Sequence, residues 1–434
     1  MQRDRRIDAA LFAVAGAFAA GNALHARLVP HRTWGAWTWW VFLAAAALAL
    51  LTRSFRARVA LTGAVVVLTA VVPTVRLAVE RLDRPEGTAQ SEVIVIEAMA
   101  DRLVDDGNPY LDPAAIEVEA AKPRVGFRAY GPYHPAMAAF GLPRAIGGRH
   151  ALTDARIAFA VATALAAGLA MALARVDRDR RLRVVQALAV VPPAGLTYAT
   201  GGDDLPVIAT GLLTLALVGR RRFGWAGVAA GLALATKLTA LPLVVVAGVV
   251  AWTTRGRRGA GSYALGALGL PLVTLVPVVA TDPAAAWENL IRYPFGMTER
   301  RSPAASPLPG RLLADHVPGG TALALGLTLA VGLAFLAWLW RRPPATAHEA
   351  ATVVAAAMAA VVLVAPAARF GYLLYPLCLG AWSWATAPAR GRLPDDGPDR
   401  GGDPDVLRGD GRGGARPAPA GRPAGTHGRR LRVA

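Results

Sequence analysis

The chain has 434 residues, 54% of them hydrophobic, with a formal net charge of +18 and a mean hydropathy of +0.39. Length alone allows two or three soluble domains, but this hydropathy, carried by long Ala, Leu and Val runs, excludes them in favour of an integral membrane protein. The positive charge is nearly all arginine, with Lys122 and Lys237 the only lysines, and it lies in short clusters between apolar runs, a placement that speaks for membrane topology and against nucleic acid.

The first apolar run, "LFAVAGAFAAGNAL", follows "MQRDRR". Because further runs come almost at once, it reads as an uncleaved first helix and not as a signal peptide. Apolar segments predict spans near 7–28, 36–52, 57–76, 152–174, 183–200, 204–219, 223–236, 238–253, 262–280, 319–340, 350–366 and 370–386. A cytoplasmic N-terminus then places the arginine clusters "TRSFRAR", "RVDRDRRLR", "GRRRF", "TRGRRG" and "WRRPP" on the cytoplasmic side as well. The expectation is an all-α, multi-pass protein of the plasma membrane with about twelve spans and both termini inside. The segment "YHPAMAAFGLPRAIGG", 133–148, would make a thirteenth span, but the later clusters would then fall outside; it reads as re-entrant or interfacial. Residues 1–386 form the membrane domain on this reading. The stretch 387–434, rich in Gly, Pro, Arg and Asp, reads as a disordered cytoplasmic tail.

The outer face receives a long loop, 77–150, with interfacial helices, then "TGGDD", "ATKLTA", a Pro-rich loop at 281–318 and "PAARFGY". These segments hold the unusual polar residues, so an active site is expected there. In the long loop, Glu92, Glu97, Asp101, Asp105 and Asp106 crowd around a single base, Arg102. A helix over 91–106, with Ser91 as its N-cap, puts Glu97, Asp101 and Asp105 on one face as solvated charges. Glu92 instead falls on the apolar side with Ile96, Met99 and Leu103. Two readings of Glu92 follow: a first-turn acid complementing the helix dipole, or a carboxylate held at the membrane boundary to take a proton from a hydroxyl. Asp203 and Asp204 read as N-capping acids of the helix that follows them, Asp154 and Arg156 as a packing pair. No His/Cys cluster or Asp-rich loop has metal-ligand spacing, so a divalent metal is not indicated.

The order of these features resembles the GT-C superfamily of membrane glycosyltransferases. The residues that carry it are "SEVIVIEAMADRLVDDGNPYLD", "AYGPYHPAMAAFGLP", "GGDDLPVIATGLLTLAL" and "WAGVAAGLALATKLTALPLVV". The chain is most similar to the branch of polyprenyl-phosphate-mannose-dependent α-mannosyltransferases of actinobacteria. Glu92 stands where that branch has its catalytic Asp, Tyr133-His134-Pro135 where it has Y-P-P, and Gly227, Gly231 and Lys237 match its glycine-lysine helix. Glu for Asp, Ile96 for an aromatic and "GGDD" for a Gly-Gln-x-Asn pattern are departures.

The resemblance implies an inverting transfer of mannose, or another hexose or pentose, from a polyprenyl-phosphate donor to a glycolipid or polysaccharide acceptor. Glu92 would be the general base, with Glu97 a supporting acid. Lys237 and Arg369 would hold the donor phosphate, each with a structural alternative: a snorkelling lysine, and an arginine satisfied by Asp203 or Asp204. Tyr130, Tyr133, His134, Asp203 and Asp204 would contact sugar or acceptor. Membrane lipids are the remaining partners. A lipid-sugar flippase and a non-catalytic assembly partner are the alternatives; polar residues concentrated on one face, rather than in repeated broken helices, favour the enzyme.

Overall fold

The computed structural model describes residues 2–123, 125–300 and 302–388. Its contacts divide the chain into two units, Met1–Ala387 and Pro388–Ala434. The expected tail, 387–434, lies outside the described residues apart from its first two. The first unit is helical throughout; among the described residues the only extended pairing is one bridge between Ala305 and Ala368.

The N-terminal part packs three long helices, α1 (Gln2–His25), α2 (Val29–Leu51) and α3 (Phe55–Asp83), around Phe12, Trp34, Phe42 and Leu77. Gly35 lets α1 and α2 touch through their backbones, since a Cβ there would stand 2.5 Å from the Ala19 carbonyl oxygen. Pro73 lies inside α3, where its ring cannot donate and crowds the carbonyl of Thr69 one turn earlier. The helix relaxes into a π turn over Val67–Val71, and the Thr69 carbonyl accepts a 2.7 Å hydrogen bond from the Trp34 indole instead. One proline thus sets the contact between α2 and α3.

After α3 comes α4 (Ser91–Asp105), followed by short helical turns and then α5 (Ala155–Leu173). The segment 133–148 forms only a 3₁₀ turn, Pro135–Phe140, and a six-residue helix, Leu142–Gly147, with Gly141 pressed against the backbone of α4. Neither piece is long enough to cross a bilayer. A bent pair follows, α6 (Arg178–Ala189) and α7 (Pro192–Thr200), turned by 52° where Pro192 and Pro193 interrupt the ladder. Two shorter apolar helices, α8 (Asp204–Gly219) and α9 (Phe223–Thr236), form a hairpin.

Helix α10 (Leu241–Thr281) breaks at Gly256, whose φ of 57° no helix contains. Its two halves double back, so that the Tyr263 hydroxyl donates to the Val244 carbonyl at 2.9 Å. They occupy the positions expected for the spans at 238–253 and 262–280. The second half lies directly on α9: a Cβ at Gly227 would stand 2.1 Å from the Tyr263 oxygen, and one at Gly231 2.5 Å from the Gly266 oxygen. Helices α11 (Gly320–Arg341), α12 (Ala347–Val364) and α13 (Leu374–Thr386) complete the fold.

Among the described residues, seven helices are long and apolar enough to cross a membrane, or eight with the bent pair taken as one span. The expected twelve or thirteen are not reached on this measure. The reason is length: α8, α9 and α13 have 16, 14 and 13 residues, and α10 counts once although it doubles back. At 1.5 Å per residue, 16 residues reach only ~24 Å against a core of ~30 Å.

Candidate active site

The site begins where α4 meets α7. The Gln90 N–H donates to the Thr200 carbonyl at 2.7 Å, and the Gln90 side chain bonds Thr200 Oγ1 at 3.0 Å and the ring of His31. These contacts fix the first turn of α4 and make Gln90, not Ser91, its N-cap position, with no side-chain cap at all. Ser91 is already helical, and its hydroxyl accepts from Arg128 at 3.3 Å. Glu92, the second residue of the helix, is buried at 8% exposure. Its carboxylate is ion-paired with the Arg369 guanidinium, which arrives from the loop between α12 and α13. Glu92's charge raises the Arg369 pKa further, against the opposing effect of burial.

Beside this pair lies a second one. The "GGDD" turn needs Gly202 at φ 108°, and it delivers Asp203 and Asp204 to the start of α8. Neither carboxylate caps the helix. Both bind Lys237 Nζ, each at 2.6 Å, from the end of α9. The ammonium also stands 5.5 Å from the ring centroids of Tyr133 and Tyr372. The Tyr375 hydroxyl donates to Asp204 at 2.7 Å and shares a 2.8 Å bond with Thr239. Burial, the largest influence on Asp203, raises its pKa; Lys237 pulls the other way and the neighbouring carboxylates push with burial. Tyr133 connects the two pairs, because it lies in the fields of Asp203, Lys237, Glu92 and Arg369 together.

The remaining predicted residues separate. His134 is tied to the end of α9: its backbone N–H bonds the Thr236 carbonyl at 3.1 Å, and its Nδ1 donates to the Leu234 carbonyl at 2.7 Å. Burial lowers its pKa, so the ring is neutral at physiological pH and its Nε2 is an acceptor. Tyr130 stacks on Tyr293 with ring centroids 4.2 Å apart, in a satellite cluster with Ile116 and Ala129. Its stacking partner Tyr293 lies in the field of Arg369, whereas Tyr130 lies in those of Glu288, Arg292 and Glu299.

The reading of Glu97 as a solvated charge is corrected by the fold. Its carboxylate is 4% exposed and takes a two-pronged bond from Arg81, at 2.8 and 2.7 Å, with Arg144 at 3.3 Å. The same Arg81 reaches Asp154 at 2.9 Å, and Asp154 in turn binds Arg156 at 2.8 Å, the pairing expected for those two. Burial alone would raise the Asp154 carboxyl, but the bonds from Arg156 and Arg81 outweigh it and hold the pKa at about 2. Asp101 and Asp105 are exposed, as expected. The face of α4 that carries all three acids is covered at its start and open at its end.

Sequence reasoning did not single out Tyr372, Tyr375, His31 or Gln90. The spacing "RFGYLLYP" offered a signal, since two tyrosines three residues apart after an arginine share a helical face. His31 and Gln90 carry no comparable pattern.

Chemically, the arrangement holds one carboxylate beside one guanidinium that is 30% exposed, backed by a nearly closed lysine with two aspartates and ringed by tyrosines. It suits an anionic group binding to Arg369 and a hydroxyl binding to Glu92. Residues 132–366, more than half of the chain, match the family model of glycosyltransferase family 87. Tyr133, His134, Asp203, Asp204 and Lys237 lie inside the match, whereas Glu92 precedes it and Arg369 follows it by three residues. No curated protein and no solved structure matches the chain. The chain therefore belongs to glycosyltransferase family 87, a GT-C-like family of membrane glycosyltransferases.

Proposed function

We propose that the chain transfers a sugar, mannose or another hexose or pentose, from a polyprenyl-phosphate donor to a glycolipid or polysaccharide of the cell envelope. The acceptor oxygen attacks the anomeric carbon, and the bond from that carbon to the phosphate oxygen breaks with its electron pair leaving on the lipid phosphate. Glu92 takes the acceptor's proton, and one in-line displacement inverts the anomeric centre. The observation that carries this reading is the ion pair between buried Glu92 and half-buried Arg369, a base and an anion receptor set side by side.

Different roles for the two cations are part of this reading. Lys237 is already committed to Asp203 and Asp204, and its side chain is 10% exposed. We assign it to holding those acids, and Arg369 to receiving the donor phosphate. Phosphate arriving at Arg369 competes with Glu92 for the guanidinium and frees the carboxylate as a base. Tyr133 and His134, with the free Nε2 of His134, are assigned to sugar or acceptor hydroxyls. Glu97 supports the site at a distance, by fixing α4 through Arg81. The site faces the outside, with both termini in the cytoplasm, in keeping with the arginine clusters.

The test is transfer from radiolabelled polyprenyl-phosphate sugars in membranes containing the full chain. Wild type transfers label and Glu92→Gln, present at equal level, does not. Undiminished transfer by Glu92→Gln removes the base assignment. Absence of transfer from every such donor, with measured translocation of the lipid, replaces the enzyme by a flippase.

A further inference from the structure

The end of the α8–α9 hairpin away from Lys237 carries a feature that the transfer reaction does not use. The turn there is Arg220-Arg221-Arg222, and Arg255 joins it from the end of the first half of α10. The four arginines surround the mouth of an open cavity of about 920 Å³. Its floor runs along α9 and the second half of α10 and is apolar, formed by Val228, Leu265 and Leu270; Gly269 leaves open space beside it, while Gly266 lies in the backbone contact of the two helices. No acid lines it, and none of the four arginines belongs to an ion pair among the described residues. Arg220 donates to the Leu173 carbonyl at 2.7 Å and Arg255 lies over the Phe223 ring at 5.6 Å, which aims two guanidinium groups without neutralising them.

Two further details point to an anion. The first residues of α9 line the cavity mouth, and no side chain caps that helix, so its N-terminal N–H groups add to the positive field. Arg221 has a φ of 54°, a conformation that favours glycine, yet an arginine occupies it. The apolar floor, with Leu265 80% exposed, is far larger than a free phosphate needs and matches hydrocarbon chains.

We propose that this groove binds an anionic phospholipid, its phosphate headgroup among Arg220, Arg221, Arg222 and Arg255 and its acyl chains along the floor between α9 and α10. The site is distinct from the Glu92 site, from which it is separated by the length of α8, ~24 Å.

The test uses the full chain purified in a neutral detergent and native mass spectrometry with added phosphatidylglycerol or phosphatidylcholine. Wild type retains phosphatidylglycerol in preference, on the order of tenfold or more. Arg221→Gln with Arg222→Gln alters two exposed side chains that have no ion-pair partner, and it abolishes the preference. Gly269→Trp keeps every arginine, and a Cβ at Gly269 meets nothing within 4 Å. Its indole fills the floor and lowers lipid retention to the phosphatidylcholine level. Equal unfolding temperatures of the three proteins in lipid-free detergent separate these losses from misfolding. Unchanged phosphatidylglycerol retention in both variants overturns the proposal. So does displacement of the lipid by inorganic phosphate at equal concentration together with an indifferent Gly269→Trp, since the groove would then hold a soluble anion.

Discussion

Glu92 and Arg369 stand 277 residues apart in sequence and meet as a part-buried ion pair, one on the first turn of α4 and the other on the strap before α13. Neither belongs to the residues matched by the family model, yet the pair lies against the residues that do. The two halves of the proposed reaction, accepting a proton and holding a departing phosphate, are assigned to these two groups. Their variants should therefore fail differently. Glu92→Gln should lower kcat by about 10²–10⁴ with little change in KM for the donor. Arg369→Gln should raise the donor KM as well as lower kcat, and Arg369→Lys should recover part of the loss. An Arg369→Gln protein with unaltered donor KM would remove the phosphate assignment.

Lys237 should matter for folding at least as much as for turnover. Lys237→Met leaves Asp203 and Asp204 buried together without a counter-ion, a loss of about 3–5 kcal/mol by the usual cost of breaking a buried pair. Adding Asp203→Asn and Asp204→Asn should return much of the stability, because no uncompensated charge then remains. Thermal unfolding in detergent reads both effects. Equal stability of Lys237→Met and wild type would show that the lysine is not the acids' essential partner.

The acid limit of stability should carry the mark of Asp154. Its folded pKa of about 2 lies below the ordinary 3.8, so its stabilising contribution is complete above 3.8 and lost as pH falls toward 2. The linked free energy is roughly 2 kcal/mol. Asp154→Asn should be less stable than wild type at pH 6, and the difference should shrink as the pH approaches 2. A pH-independent difference would mean that the charge of Asp154 is not what Arg81 and Arg156 require.

Gly227→Val should abolish the folded protein, since its Cβ would meet the Tyr263 carbonyl at 2.1 Å. Gly63→Ala, on α3, meets nothing within 4 Å and should be tolerated. Monodisperse yield after detergent extraction measures both. A normal yield for Gly227→Val would contradict the backbone contact between α9 and α10.

Much of the site was legible because its signals are local. Lys237 breaks an apolar stretch, "GGDD" is an isolated acidic turn, and Glu92 departs from the acidic face of its own helix. The misreading of Glu97 shows where local reasoning stops. A helical period tells which residues share a face but not what lies against it. The partners that bury Glu97, Arg81 and Arg144, come from other segments, and nothing in the local pattern pairs them with it. Lys237 is similar: the sequence offers a lone cation and an acidic turn, and the fold shows that the two aspartates hold it directly. The span count was not confirmed for another reason. Hydropathy marks where apolar helices are, whereas crossing a bilayer depends on length, and α8 and α9 fall short.

That shortfall has a mechanical consequence. A hairpin of ~24 Å in a hydrocarbon layer of ~30 Å is mismatched by several ångströms. In the proposed orientation its arginine turn lies among headgroups, and the deficit then falls on the opposite end, where Lys237 and the two aspartates are. The bilayer must thin there, or the protein must keep a water-filled recess reaching below the headgroup plane. Either way, the lipid phosphate of the proposed donor would not have to leave the membrane to reach Arg369.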